Sequence, residues 1–256
     1  MRDRRVVWKN QSEPPNLPKD CHNCAIRDAT VCGALRTDQL EILQEFKSCD
    51  RILPAHTHLY RAGERLHEIY NLLSGWVALY RILESGNRQV LQIEFPGGFL
   101  GYQAKLDEPM LHSAQCITDV AVCVFPRRAF PGLLERHPAI GSRLIGMVAN
   151  EVARGHDQLT NVGGRPGVER VAHFLLQIYM HLRQRKHAVN GDVQSLPLTQ
   201  EMIGDALGLT PVHINRILRQ LRERRLVVLQ NRTLKVLDLD GLREMADMSQ
   251  VDMAAF

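Results

Sequence analysis

Between Leu53 and Phe130 the chain reads as short apolar runs cut by turn signals. IYNLLSGWVALYRI, RQVLQIEF and AVCVF are separated by AGE, SG, ESGN, PGG and TD. Glycine and small polar residues reverse the backbone cheaply at such points. Regular short strands with glycine turns leave few folds open, and they predict a compact antiparallel sandwich or barrel. The chain has 256 residues and 45% hydrophobic content, enough for that domain and a second core beside it.

Helical patterns flank the β-rich stretch. Residues 1 to 20 are polar and read as a flexible arm. Thr37 is placed to cap a short helix in DQLEILQEFKS, where Leu40, Leu43 and Phe46 share a face. From Pro138 onward, Ile140, Leu144, Met147, Val148 and Val152 recur at helical spacing. Leu159 and Val162 continue the stripe beyond Gly155. A long helix with a narrow apolar seam points to a dimer coiled coil, the alternative being a helix packed on its own domain. Gly155 would weaken such a seam by removing packing from it. GGRPG, residues 163–167, reads as a hinge. Val168, Val171, Ala172, Leu175, Ile178 and Tyr179 then face inward on a further helix, and residues 183–194 read as a polar loop. The expected segments are 1–49 (arm, cysteine cluster and short helix), 50–134 (sensor-like β-domain), 135–163 (dimerisation helix), 164–240 (a helix-turn-helix domain) and 241–256 (tail, either a final helix or without fixed structure).

The segment LTQEMIGDALGLTPVHINRILRQLRERRL carries a helix-turn-helix pattern. Thr199 can cap a first helix bearing Ile203, Ala206 and Leu207, and Gly208 supplies the turn. Thr210 caps a second helix with Pro211 at its first position, where the missing N–H costs nothing. Ile214, Ile217, Leu218 and Leu221 form its buried side. Val212, Asn215, Arg216 and Arg219 fall opposite, with His213 beside them, as on a helix whose early residues enter the major groove. The fork of Arg216 matches guanine O6 and N7. Arg219, Arg222, Arg224 and Arg225 suit phosphates. LVVLQ and TLKVLDL around Asn231 and Arg232 read as a two-stranded wing.

Cys21, Cys24 and Cys32 lie close together near the N-terminus. The Cys-x2-Cys spacing lets two thiolates grip one metal or cluster, and Cys32 can supply a third. Four thiolates are the usual holders of iron–sulfur clusters. Tetrahedral zinc accepts the same set, with His22 able to join. The fourth ligand must come from elsewhere, from Cys116 or Cys123. Cys49, at the end of the first helix, reads as structural.

The formal charge of +4 excludes a polybasic nucleic-acid coat. The opening MRDRRVVWKN lacks a secretory signal, and no apolar run approaches the roughly 18 residues of a membrane span. A cytoplasmic chain is expected, where six cysteines point to metal or redox chemistry more than to disulfides. No nucleophile–base pair or glycine-rich phosphate loop favours an enzyme.

The order of these parts resembles the CRP/FNR family of bacterial transcription regulators over nearly the whole chain. YRAGE, LLSGWVALYR and FPGGFLGYQ resemble the family's β-roll, and LGLTPVHINRILRQL resembles its helix-turn-helix. The resemblance implies an α+β fold: an N-terminal antiparallel, cupin-like β-roll, a long dimerisation helix and a C-terminal winged helix-turn-helix. Within the family the FNR-type oxygen sensors are most similar. ITDVAVCVFPRRAF resembles the stretch around their central ligand, so the resemblance implies a 4Fe-4S cluster on Cys21, Cys24, Cys32 and Cys123, with zinc, a thiol switch or no metal as the alternatives. Seven residues separate Cys24 from Cys32, against five in the best-known version. The resemblance also implies a homodimer through Ile140, Leu144, Met147, Val148, Val152, Gly155 and Leu159. Palindromic double-stranded DNA and RNA polymerase follow as partners, with Glu84–Arg88 a candidate polymerase contact. In GGFLGYQAKLDEPMLHSAQC, glycine and tyrosine replace the carboxylates of a cyclic-nucleotide cassette. His112-Ser113 replaces its Arg-Ser, so no cyclic nucleotide is expected. Val212, Asn215 and Arg216 depart from the Glu-x-x-Ser-Arg of FNR, implying a related but different half-site.

Overall fold

The computed structural model describes residues 20–184 and 193–249 and divides into two compact units, 1–152 and 153–256. Residues 1–19 of the expected arm lie outside the described residues. The boundary falls inside the long helix, so that helix contributes to both units rather than standing as a separate body.

In the first unit, strands β1 (Cys49–Leu53), β2 (His58–Tyr60), β3 (Glu68–Ser74), β4 (Val77–Ile82), β5 (Arg88–Glu94), β6 (Phe99–Leu100), β7 (Ser113–Cys116) and β8 (Val120–Pro126) build two antiparallel sheets. Their orders are β1-β8-β3-β6 and β2-β7-β4-β5. Tyr60, Leu72, Val77, Cys116, Val122 and Val124 belong to one core, drawn from strands of both sheets. Ala121, Cys123 and Phe125 of β8, with Ile69 and Leu73 of β3, belong to a second core. Strand β8 is therefore buried on both faces. That is why VAVCVF reads as an unbroken apolar run rather than an alternating one.

The second core is completed by Val31 and Leu35, by helix α1 (Leu40–Phe46), by α2 (Phe130–Arg136) and by the start of α3 (Pro138–Gly164). Thr37 does not cap α1. It sits in a short 3₁₀ turn, Thr37–Gln39, while Gln39 Oε1 accepts from the Arg36 N–H at 3.1 Å. Cys49 opens β1 rather than closing the helix, and it is exposed.

Helix α3 corrects the expected seam. Ile140 (0% exposed) and Leu144 (6%) are core residues of their own unit, with Met147 packed against them. Ile145, which the periodicity reading passed over, is 72% exposed, and Val148, Val152 and Leu159 are exposed too. With Gly155 these fall at alternating three- and four-residue intervals, the spacing of a coiled-coil seam.

In the second unit, α4 (Gly167–Gln184) buries Val171, Ala172, Leu175, Ile178 and Tyr179, with Val168 half-buried. His173 Nε2 pairs with Asp157 Oδ2 of α3 at 2.9 Å, and Gln177 donates to the same carboxylate. Helices α5 (Gln200–Leu207) and α6 (Pro211–Glu223) follow, then β10 (Val227–Gln230) and β11 (Thr233–Val236). Asn231 and Arg232 both take positive φ, 50° and 56°, as a two-residue hairpin requires. The wing has a third strand. Val193 and Gln194, expected in a loop, belong to β9 (Val193–Ser195), which pairs with β11. The expected tail also contains structure: α7 (Leu239–Met245) buries Leu242, Asp238 capping it through the Gly241 N–H at 3.0 Å. Among the described residues no helix is long and apolar enough to cross a membrane.

Gly75 turns β3 into β4 at φ +85°, and a Cβ there would meet Asp119 O at 2.2 Å. Gly63 has the same φ with open space around it. Gly75→Ala should therefore cost about 3 kcal/mol in urea unfolding, and Gly63→Ala only about 1 kcal/mol.

Candidate sensor site and nucleic-acid interface

The cysteine segment is a chain of 3₁₀ turns: Cys21–Asn23, Arg27–Ala29 and Val31–Ala34. Asp20 Oδ1 accepts from the Asn23 N–H at 2.9 Å and starts the first turn. Thr30 Oγ1 accepts from the Cys32 N–H at 3.1 Å and donates to Arg27 O at 2.8 Å. Val31 and Leu35 insert into the core beneath. Arg143 of α3 donates to the carbonyls of Asp28 and Thr30, the latter at 3.4 Å. So short a segment holds its shape by these anchors, not by a core of its own.

This packing brings Cys21, Cys24, Cys32 and Cys123 around one recess, together with Lys47 and Asn71. Cys116 faces the other core, which separates the two candidates for a fourth ligand. All six thiols are free. Cys123 sits in β8, between β1 and β3, opposite Asp50 of β1 on one side and Asn71 of β3 on the other. Lys47 Nζ pairs with Asp50 Oδ2 at 2.8 Å, both side chains largely buried. Burial raises the Cys21 thiol and pushes Cys32 up to about 11, the neighbouring cysteines adding to the latter. Burial also raises Cys123, helped by a hydrogen bond and charge from Asp50. These thiols are protonated at neutral pH, and a cationic centre would have to displace their protons. Among the described residues no three His, Cys, Asp or Glu side chains converge closely enough to hold a single ion. The thiols ring a recess instead. His22 is exposed and does not line it.

The cassette-like stretch is engaged internally. His112 Nε2 pairs with Tyr60 OH at 3.0 Å, and Ser113 Oγ accepts from the Ala62 N–H at 3.0 Å. His58 pairs with Tyr80 OH at 2.8 Å. The 84–88 stretch forms the β4–β5 turn, closed by Leu83 N–H to Asn87 O at 2.9 Å.

At the other candidate site, Thr199 Oγ1 accepts from the Met202 N–H at 3.1 Å and Thr210 Oγ1 from the His213 N–H at 3.3 Å, so both expected caps form. Gly208 takes φ +65°. Gly204 lets the turn close: a Cβ there would meet Leu209 O at 2.4 Å. Ile214, Ile217 and Leu221 are buried on α6. Val212 is 79% exposed, and Asn215, Arg216 and Arg219 are exposed with it. Asn215 Nδ2 donates to Gln200 Oε1 at 3.2 Å, and Arg219 Nε to Glu223 Oε1 at 2.8 Å. His213 of the expected contact set is half-buried, with its ring against Gly167, where an added methyl would lie 3.5 Å away.

Sequence reasoning missed Lys47, Asp50, Asn71, Arg143 and Gly204. A lone asparagine inside the apolar run IYNLL was the one visible signal.

A double-sheet domain followed by a winged helix-turn-helix is the architecture of a DNA-binding regulator. The profile of the cyclic nucleotide-binding domain matches residues 50–137, and that of the Crp-like helix-turn-helix domain matches 169–245. The nitrogen fixation regulation protein FixK of Bradyrhizobium diazoefficiens is 30% identical over 227 residues, covering 85% of this chain and 90% of FixK. The anaerobic regulatory protein of Haemophilus influenzae is 24% identical over 228 residues, covering 88% and 87%. The solved structure of FixK2 from Bradyrhizobium japonicum superposes with a TM-score of 0.69 at 24% identity, over 77% of this chain and 96% of that one. The chain belongs to the CRP/FNR family of transcription regulators.

Replacing Arg216 by alanine should remove about 1–3 kcal/mol of discrimination for the specific site. Arg222→Ala should weaken binding to all sequences and lower the salt slope by about 1. Fluorescence anisotropy on specific and scrambled duplexes over a salt series separates the two.

Proposed function

We propose that this regulator senses oxygen through a 4Fe-4S cluster held by Cys21, Cys24, Cys32 and Cys123, and binds palindromic DNA as a homodimer to control anaerobic or microaerobic genes. The observation that carries the reading is the meeting of these four thiols around one recess, although Cys123 is distant in sequence. The family tie to an anaerobic regulatory protein supports it. The residues fit such a group by donor chemistry: four soft thiolate donors line one recess.

Such a cluster supplies an oxygen-labile centre. The chain's own residues supply the coupling. Drawing Cys21, Cys24 and Cys32 toward Cys123 fixes the N-terminal segment on β8. Arg143 grips two carbonyls of that segment, so α3 feels its position. The exposed stripe Ile145, Val148, Val152, Gly155 and Leu159 of α3 then meets its copy, and a two-state equilibrium between weak and tight dimers carries the signal. In the tight dimer two α6 helices enter major grooves about one helical turn apart. A cyclic nucleotide is not the effector in this reading, because His112-Ser113 stands where that cassette carries Arg-Ser. The β4–β5 turn is the proposed polymerase contact.

The test is iron and acid-labile sulfide on protein prepared without oxygen. About four irons per chain are expected, with visible absorbance lost in air together with operator binding. Alanine at Cys21, Cys24, Cys32 or Cys123 should abolish loading, whereas Cys116→Ser and Cys49→Ser should load normally. A colourless protein with one zinc or no metal rejects the reading.

At Gly155 a Cβ would meet nothing within 4 Å in the single chain. Gly155→Leu should therefore fold and should tighten the cluster-free dimer about tenfold or more by filling the seam, as read by sedimentation equilibrium.

A further inference from the structure

Asn71 is a polar residue where the fold asks for an apolar one. Ile69 and Leu73, two residues away on either side in β3, belong to the core that Asn71 faces. The residue is 1% exposed. Its Nδ2 lies 3.4 Å from Cys32 Sγ, and its Oδ1 has no partner. Across the sheet it stands opposite Cys123, so one side chain lies between a thiol of the N-terminal segment and the thiol of β8. A buried amide with an unmet acceptor opposes folding, so packing gives no reason for it. The recess does give one.

We infer that Asn71 is a positioning residue for the sulfur ligands: its amide donates to the Cys32 thiolate and sets how readily the bound cluster is lost in air. This rests on the cluster reading above. A thiolate carries no proton, so only the N–H end of the amide can face it. An N–H···S bond draws charge from the sulfur and favours the more reduced state of the iron it binds. Partners of this kind orient a ligand and alter metal retention by roughly ten- to a hundredfold when removed. Lys47 and Thr30 stand on the same recess, but Asp50 already engages the Lys47 ammonium and the Thr30 hydroxyl already donates to Arg27 O at 2.8 Å, which leaves Asn71 as the neutral, directed donor.

The experiment compares full-length wild-type protein with Asn71→Leu, which keeps the number of side-chain heavy atoms and removes the donor. All four cysteines are kept, and both proteins are loaded anaerobically with iron and sulfide. Equal initial iron content is expected. The Leu variant should lose its visible absorbance in air-saturated buffer roughly tenfold faster. Its midpoint potential should fall, which a purely structural defect would not produce while the far-UV spectrum and melting temperature stay near wild type. Should leucine fail to pack, Asn71→Ala adds no volume and carries the same comparison. Identical loss rates and potentials in loaded wild-type and variant protein overturn the role of Asn71 alone. Wild-type protein that takes up no iron overturns the cluster reading, and this inference with it.

Discussion

The N-terminal unit depends on the burial of β8 on both faces. A strand has two faces and a period of two, so burying both fixes the direction of every side chain in VAVCVF. Val120, Val122 and Val124 belong to the core drawn from both sheets, while Ala121, Cys123 and Phe125 belong to the core on the strand's other face. That second face must be covered, and the N-terminal segment helps to cover it. Covering a sheet face and gathering four cysteines are thus one packing event. Val31 and Leu35 anchor the segment, and the sulfurs fall where the anchored turns leave them.

The same event reaches the long helix. Its first turns complete the core through Ile140 and Leu144, and Arg143 turns back to bind the cysteine segment's carbonyls. One face of α3 therefore belongs to the domain, and the side that carries Ile145 is open. A helix that packs on one side and stays apolar on the other suits the transmission of a packing change into an association change. The second unit follows local rules more closely. Two threonine caps, a left-handed glycine and the close approach allowed by Gly204 set the helix-turn-helix, and a hydrogen-bonded Asp157 closes α3 onto α4.

The sequence alone determined what depends on neighbours in the chain. The β-rich stretch, the capped helices of the helix-turn-helix, the Asn231–Arg232 turn and the exposed side of Val212, Asn215, Arg216 and Arg219 were legible because periodicity and capping act within a few residues. Tertiary structure decided what depends on which surface meets which. Cys116 and Cys123 are both apolar-strand cysteines in the sequence, and only the pairing of β8 between β1 and β3 sends Cys123 toward the N-terminal segment. Ile140 and Ile145 are both apolar helix positions, and only the covering of the sheet buries the first and leaves the second open. Strand β9, the packing of His213 against Gly167 and the contact of Asn71 with Cys32 arise between segments far apart in the chain. No local pattern encodes such contacts, because their energy exists only once both partners are in place.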